Sequence, residues 1–289
     1  MLDAKTRTML DSIFLRTRKA LKGRPSGPMK VKLPSGGMDF IELREYEPGD
    51  EVRHIDWKSS SRAGRILIKK FIHDQEISLQ IIADVGPRMN YSTTDITKKQ
   101  VAAEIATALA WVATSSGNRF SFFKLNKYLE CSFEDAKGEK EVRALGAILL
   151  QAPSSLKETG LNVWKSLAQK QMPRSLVFIL SDFYEIIPEG LFASCSKKHD
   201  LHLIRILDPR EISLPRSADI SAKNSGDLSA TTIYSSNKDF RDRYQVLFEQ
   251  HENKIKNLCK KVGAGFIRFT CLDPFLKQLV NYLNSDLKN

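Results

Sequence analysis

Apolar residues recur along this chain at two spacings, and the changes between them mark out its elements. Leu2, Met9, Leu10, Ile13, Phe14 and Leu21 fall at helical spacing, which predicts an amphipathic helix over residues 3–22. Gly23 to Gly37, rich in Gly, Pro, Ser and Lys, reads as a loop. Extended pieces follow around Met38–Tyr46, and the β-branched run Arg65 to Phe71 reads as a strand. From Glu76 strands and helices alternate. Ile77–Ala83 is a strand ending at Asp84; Val101, Ala102, Ile105, Leu109 and Val112 form one helix face, closed by Gly117. Arg119–Leu125 is a strand beside which Lys127–Phe133 can hairpin back, and helices follow near Glu139–Leu150 and over 161–171. Leu176–Leu180 is a continuous apolar strand, as expected when both sheet faces are covered. A helix near 189–198 leads to a strand at Leu201–Leu207 ending at Asp208; residues 209–229 look irregular, the place for a mobile loop. Tyr244, Leu247, Phe248, Ile255, Leu258 and Val262 predict a long helix before Gly263, and Gly265–Thr270 a last strand. Asp273-Pro274 opens a final helix, with the carboxylate as N-cap. The fold class is α/β: a mostly parallel sheet with helices on both faces, preceded by a smaller N-terminal basic helix and β segment. The expected division is residues 1–75 and 76–289.

Within the first part lies the densest mixture of charged, aromatic and turn-forming residues, Leu43 to Phe71. Arg44, Glu45, Asp50, Arg53, His54, Asp56, Lys58 and Arg62 surround Tyr46 and Trp57, and Pro48-Gly49-Asp50 is a turn. These residues fit no metal, phosphate or nucleophile template. They read either as an ion-pair and aromatic staple, with Trp57 largely buried, or as a partner-recognition surface. His54 reads as a structural hydrogen-bonding residue.

This stretch resembles the signature of a widespread prokaryotic family, domain of unknown function fifty-eight. Arg44-Glu45-Tyr46, Pro48-Gly49-Asp50, Arg53, Ile55-Asp56-Trp57 and Phe71 match it, and Ser60-Ser61-Arg62 departs by one residue. The resemblance implies a von Willebrand factor A-like, Rossmann-type domain after the signature and a MoxR-type AAA+ ATPase as partner. Many relatives carry membrane helices ahead of the signature; this chain shows none there.

Composition narrows the setting. The chain has 289 residues, 42% hydrophobic and 27% charged, ordinary for a globular protein. It has no apolar run long enough for a membrane helix, and Met1–Lys22 is too broken by charge for a signal peptide. Cys131, Cys195, Cys259 and Cys271 are scattered and read as reduced, mostly buried thiols, which fits a cytoplasmic protein or one peripheral to the inner membrane face. The net charge is +11, and residues 1–32 hold nine basic and two acidic side chains. Such a field attracts an anionic membrane surface or an acidic protein face; nucleic acid is disfavoured, since no reading motif accompanies the charge.

Chemistry has one candidate location. In open α/β sheets ligands bind outside the carboxyl ends of strands, where Asp84, Asp182 and Asp208 would stand. Domains of the von Willebrand A kind commonly hold a divalent cation with Asp-x-Ser-x-Ser after the first strand, a distant Thr and a later Asp. Asp84 and Asp182 match by position, Gly86 and Arg88 stand where the two serines would be, and the threonine has no obvious counterpart. With two hydroxyl ligands missing and a guanidinium present, the expectation is a degenerate site with no metal and no cofactor, in which Arg88 pairs with Asp84, Asp182 or both. Aspartates at strand ends also cap helices and close turns. Ser92-Thr93-Thr94-Asp95 reads as a loop and helix N-cap, and His199 and His202 as a poor metal pair. With no phosphate loop, nucleophile elbow or zinc helix in the sequence, the leading expectation is a non-enzymatic protein-interaction module. The alternatives are a metal-dependent ligand-binding domain using Asp84 and Asp182, and an anionic-membrane or nucleic-acid binder acting through the basic N-terminus.

Overall fold

The computed structural model describes residues 38–47, 50, 52, 55–73, 78–126, 128–152, 160–169, 174–216, 220–223 and 230–286. The helix expected over 3–22 and the loop over 23–37 lie outside them, as do Pro48, Gly49, Arg53 and His54.

The signature folds as a small unit of its own. Strand β1 (Met38–Glu45) pairs antiparallel with β2 (Leu67–His73), with helix α1 (Trp57–Ala63) between them. The strand expected over 65–71 therefore starts two residues later, at Leu67, because Gly64 takes a left-handed conformation (φ 67°) that ends α1 first. The Asp56 carboxylate accepts from Ser59 N and caps α1, while the buried Ser60 hydroxyl donates to the Asp56 carbonyl and accepts from Leu67 N at 2.8 Å. α1 is thus fastened to β2 by a serine hydroxyl rather than by aromatic packing. Trp57 is 66% exposed, so the expectation of a buried aromatic staple was wrong. Charge closes the rest: Arg44 reaches Asp50, whose other oxygen accepts from Glu47 N, and Arg65 pairs with Glu45.

The main body is a sheet of six strands in the order β10-β7-β6-β3-β4-β5. These are β3 (Ser78–Asp84), β4 (Phe120–Leu125), β5 (Leu129–Ala136), β6 (Ser175–Ser181), β7 (Asp200–Leu207) and β10 (Gly265–Thr270). All neighbours are parallel except β4 and β5, which form the hairpin the sequence suggested. Helices α2 (Lys98–Ser115), α3 (Glu139–Gln151) and α8 (Phe275–Asp286) cover one face; α4 (Gly160–Gln169), α5 (Glu189–Lys198) and α7 (Lys238–Val262) cover the other. The two-residue period of the strands feeds both layers. Ile81, Phe122, Phe178 and Ile204 pack with the first set of helices, and Ile82, Phe123, Val177, Ile179 and Leu203 with the second. This is the reason Leu176–Leu180 carries no polar side chain.

Two local expectations gave way. Residues 209–229, expected to be irregular, contain the short helix α6 (Pro209–Ile212) and strand β8 (Ile220–Lys223), which pairs with β9 (Ala230–Ile233). Asp273 does not point its carboxylate into α8; it accepts from Thr270 N at 2.6 Å and ties the turn back to β10. Among the cysteines, Cys131 is exposed, while Cys195, Cys259 and Cys271 are buried free thiols. Among the described residues no helix is long and apolar enough to cross a membrane.

Candidate functional site

Strand order locates the site. From β3 the chain builds outward through β4 and β5, then returns to place β6 on the other side of β3 and continues through β7 to β10. The direction of winding reverses between β3 and β6, and in doubly wound sheets the crevice outside the carboxyl ends at that reversal is the usual ligand position. β3 ends at Asp84; β6 ends at Ser181, with Asp182 next. The two aspartates expected from sequence therefore stand at the one point of the sheet edge where the neighbouring connections diverge.

Their surroundings differ sharply. Asp84 is 5% exposed and has neutral donors: Gly86 N gives to Oδ1 and Ser181 Oγ to Oδ2, both at 2.7 Å. Burial, with the charge of Asp182 adding to it, raises its pKa to about 6 against the opposing pull of those donors. Asp182, equally buried, faces two cations. Lys98 Nζ lies 3.1 Å and Arg88 Nε 3.4 Å from its Oδ2, while Oδ1 accepts from Tyr184 N. Burial alone would raise this group, but Lys98 and then Arg88 outweigh it and hold its pKa below the ordinary carboxylate value.

Lys98 is the residue the sequence did not reveal. It opens α2, is fully buried, and bridges Asp182 to Glu211 of α6 at 2.7 Å, with its ammonium 6.0 Å from the Tyr91 ring. Desolvation opposes its charge, yet the two carboxylates keep its pKa above the ordinary lysine value. Arg88 sits in the 3-10 turn Pro87–Asn90 and also reaches Glu185 at 3.3 Å, with Tyr184 stacked 4.9 Å from its guanidinium. The expected partnership of Arg88 with Asp182 is present. Direct pairing with Asp84 is not: that carboxylate is turned into the β3 turn and onto Ser181. Glu185, Glu211, Tyr184 and Ser181 join Lys98 as site residues absent from the sequence reading.

The remaining strand-end residues are structural. Asp208 caps α6 in a reciprocal box with Glu211 and accepts from Thr93 N and Thr93 Oγ1 at 2.7 and 2.6 Å. Thr93 thus pins the loop before α2 to the end of β7. The cap of α2 itself is Thr97 with Gln100, not the Ser92–Asp95 segment suggested by sequence. His199 and His202 are both buried, and His202 Nδ1 meets Tyr282 Oη at 2.7 Å, fastening α8 to the sheet. Among the described residues no group of three or more His, Cys, Asp or Glu side chains is placed to hold a metal ion.

Gly86 shows how tightly the first turn is drawn. A β-carbon there would stand 2.9 Å from Asp84 Oδ1, and that oxygen cannot yield without losing its bond to Gly86 N. Restoring the motif with Gly86→Ser should therefore crowd the carboxylate and cost about 1–3 kcal/mol of stability. Thermal melts read this directly; a variant as stable as the parent would mean that the turn is looser than described.

Beside this network the segment Phe183–Ile187 crosses the sheet edge. It is fixed from below by Tyr184 N on Asp182, by Glu185 on Arg88, and by His251 Nε2 of α7 donating to the Phe183 carbonyl at 2.8 Å. Yet Tyr184 is 70% and Ile186 89% exposed. Phe183 itself holds a positive φ of 46°, an uncommon conformation for a bulky residue and one associated with functional positions.

Of the expected signature residues, Arg44, Glu45, Tyr46, Asp50, Asp56, Trp57 and Arg62 are described; they form the β1–α1–β2 unit and are not part of this site. The comparisons with known proteins cover both parts. The chain is 22% identical over 287 residues to the uncharacterized protein Rv1480 of Mycobacterium tuberculosis and, to the same extent, to the uncharacterized protein Mb1516 of Mycobacterium bovis, spanning 98% of this chain and 90% of each of theirs. Among solved structures it is similar to the conserved hypothetical protein BatB from Bacteroides thetaiotaomicron, with a TM-score of 0.46, 10% identity and coverage of 74% of this chain and 100% of that one. An aerotolerance-related membrane protein from Bacteroides fragilis gives a TM-score of 0.47 at 11% identity, covering 73% of this chain and 98% of that one. The family model described as "Protein of unknown function DUF58" matches residues 42–254, from the signature through most of α7. With the signature residues and five of the six strands of the sheet inside that match, the chain belongs to the DUF58 family.

Proposed function

We propose that this protein is a non-enzymatic interaction module whose recognition surface is the carboxyl edge of the sheet, and that its partner is a MoxR-type AAA+ ATPase acting in the assembly or maturation of other complexes. The observation that carries the surface is the Phe183–Ile187 segment, which is anchored at three points yet presents Tyr184 and Ile186 to solvent. Exposed apolar side chains on a fixed loop suit a partner's pocket, because little entropy is lost when they dock. The von Willebrand A-like resemblance supports the same edge. The ATPase rests on the family resemblance.

The charge network supports an interaction that needs no metal. Asp182 already has two fixed cations, so a divalent ion at this edge would meet the Lys98 and Arg88 charges and too few oxygen ligands. The alternative, metal-dependent ligand binding through Asp84 and Asp182, separates cleanly in one experiment. The purified chain is titrated with a MoxR-type ATPase from the same organism, with ATP, in the presence of magnesium. The titration is then repeated with no free magnesium in the buffer, on the chain pre-treated with chelator and desalted and the ATPase pre-loaded with nucleotide and desalted. Binding should survive the pre-treatment and fall at least about thirty-fold in Tyr184→Ala/Ile186→Asp, the size expected for a buried hot spot. No complex with the wild-type chain would reject the reading, and a complex lost on stripping metal would favour the alternative.

A further inference from the structure

The signature unit carries a second exposed surface, independent of the sheet edge. Its described contacts do not involve Trp57: Asp56 caps α1, Ser60 bonds α1 to β2, and Ile68 is buried. Trp57 stands 66% exposed with Val52 at 59% and Ile66 at 48%. The backbone bonds Ile55 N to Val52 O and Asp56 N to Leu67 O gather these three at one end of the unit. Lys58 and Arg62 lie four residues apart on α1, one turn of helix, both exposed and without an ion-pair partner among the described residues. From Trp57 to Ile66 the chain has no acidic residue. Among the described acidic groups that precede it, Asp50 and Glu47 pair with Arg44, Glu45 pairs with Arg65, and Asp56 caps the start of α1.

We propose that this face is a contact for an anionic lipid surface, with the Trp57 indole seated at the headgroup level and Lys58 and Arg62 against the lipid charges. An indole, apolar in body and polar at its N–H, is the side chain best suited to a membrane–water interface. Unpaired basic residues beside it gain most from a negative surface potential. Lipid is favoured over a protein face by the form of the patch. Its apolar groups are three separate side chains on different segments, and its charges are exposed and have no ion-pair partner among the described residues. A headgroup layer asks only for depth and sign, whereas a protein would have to match each group. In the sequence before β1, residues 1–32 hold nine basic side chains, charge of the same sign. Weak apolar insertion joined to a basic cluster is the combination that gives stable but reversible attachment.

Fluorescence isolates the contact, because Trp111 at 9% and Trp164 at 6% exposure are buried and Trp57 alone is open to a soluble quencher. The full chain is mixed with vesicles of phosphatidylglycerol and phosphatidylcholine in equal parts, and separately with pure phosphatidylcholine. The mixed vesicles should sediment with the protein, shift the Trp57 emission to the blue and protect it from acrylamide; pure phosphatidylcholine should do neither. Lys58→Gln/Arg62→Gln should weaken partition roughly 25-fold at low salt. Trp57→Ala should weaken it roughly ten-fold and leave the melting temperature within about one degree of the parent, since exposed substitutions cost little. Two results would overturn the proposal: no preference for the anionic vesicles, or binding that leaves Trp57 quenching and both variants unchanged, which would place the contact in residues 1–32 alone. Neither result bears on the ATPase titration, which tests the Phe183–Ile187 segment.

Discussion

Lys98→Met should be the most damaging single substitution at the sheet edge, lowering stability by about 3–5 kcal/mol. The methionine fills nearly the same volume, so packing is preserved and the loss is electrostatic. Removing a fully buried ammonium leaves Asp182, 3% exposed, with the more distant Arg88 as its remaining salt-bridge partner, Arg205 being engaged at its main-chain carbonyl. It also takes the cation from Glu211 Oε1, leaving that carboxylate its bond from Asp208 N. Such a loss corresponds to a fall in Tm of roughly 10 °C for a domain of this size. The second substitution of the test is Asp182→Asn, which keeps an oxygen to accept from Tyr184 N. If the lysine chiefly neutralises this carboxylate, Lys98→Met/Asp182→Asn should recover much of the loss, a coupling well above the ~0.5 kcal/mol of independent sites. Additive losses would show that Lys98 serves packing or Glu211 and that the paired-charge account is wrong.

That lysine also marks where sequence reading fails. Lys98 and Lys99 form a polar pair at a helix start, and lysines are rarely fully buried, so nothing local points inward. The signal was one turn further on. From Val101 to Ala113 every residue of α2 is buried, so the helix is sunk into the protein all round and its first residues go in with it. Asp84 and Asp182 were legible for the opposite reason. Each ends a short apolar strand, and strand ends in a parallel sheet fall at one edge whatever the tertiary details. Trp57 misled because large aromatics usually contribute core. Here the unit is two strands and a seven-residue helix joined by the Ser60 hydroxyl, and the indole stands 66% exposed outside that joint. The β8–β9 pair was hidden by four-residue strands, too short for alternation to emerge.

Asp84→Asn should raise stability at neutral pH, an uncommon outcome for a buried polar residue. The carboxyl has a pKa of about 6 in the folded protein, chiefly from burial and then from the neighbouring Asp182 charge, against about 3.9 in an unfolded chain. The folded state therefore binds this proton more tightly than the unfolded one. The resulting stability is fully present below about pH 4 and is lost as pH rises through about 6. Above that, ionised Asp84 costs about 2–3 kcal/mol. An asparagine oxygen can still accept from Gly86 N, but the amide cannot accept the Ser181 hydroxyl as the second carboxylate oxygen does, so the net gain should be nearer 1–2 kcal/mol. Asp182 runs the other way: with its pKa lowered by Lys98 and Arg88, its contribution is present above the unfolded value and lost only in stronger acid. The two groups can thus be told apart by where the profile moves. Denaturant melts of wild type and Asp84→Asn across pH 4 to 7 should show a stability difference that grows with pH over that window. A difference that stays constant, or a variant less stable at pH 7, would mean that Asp84 is held ionised by more positive charge than Arg88 delivers to it, and the division of the edge into one neutralised and one uncompensated aspartate would have to be abandoned.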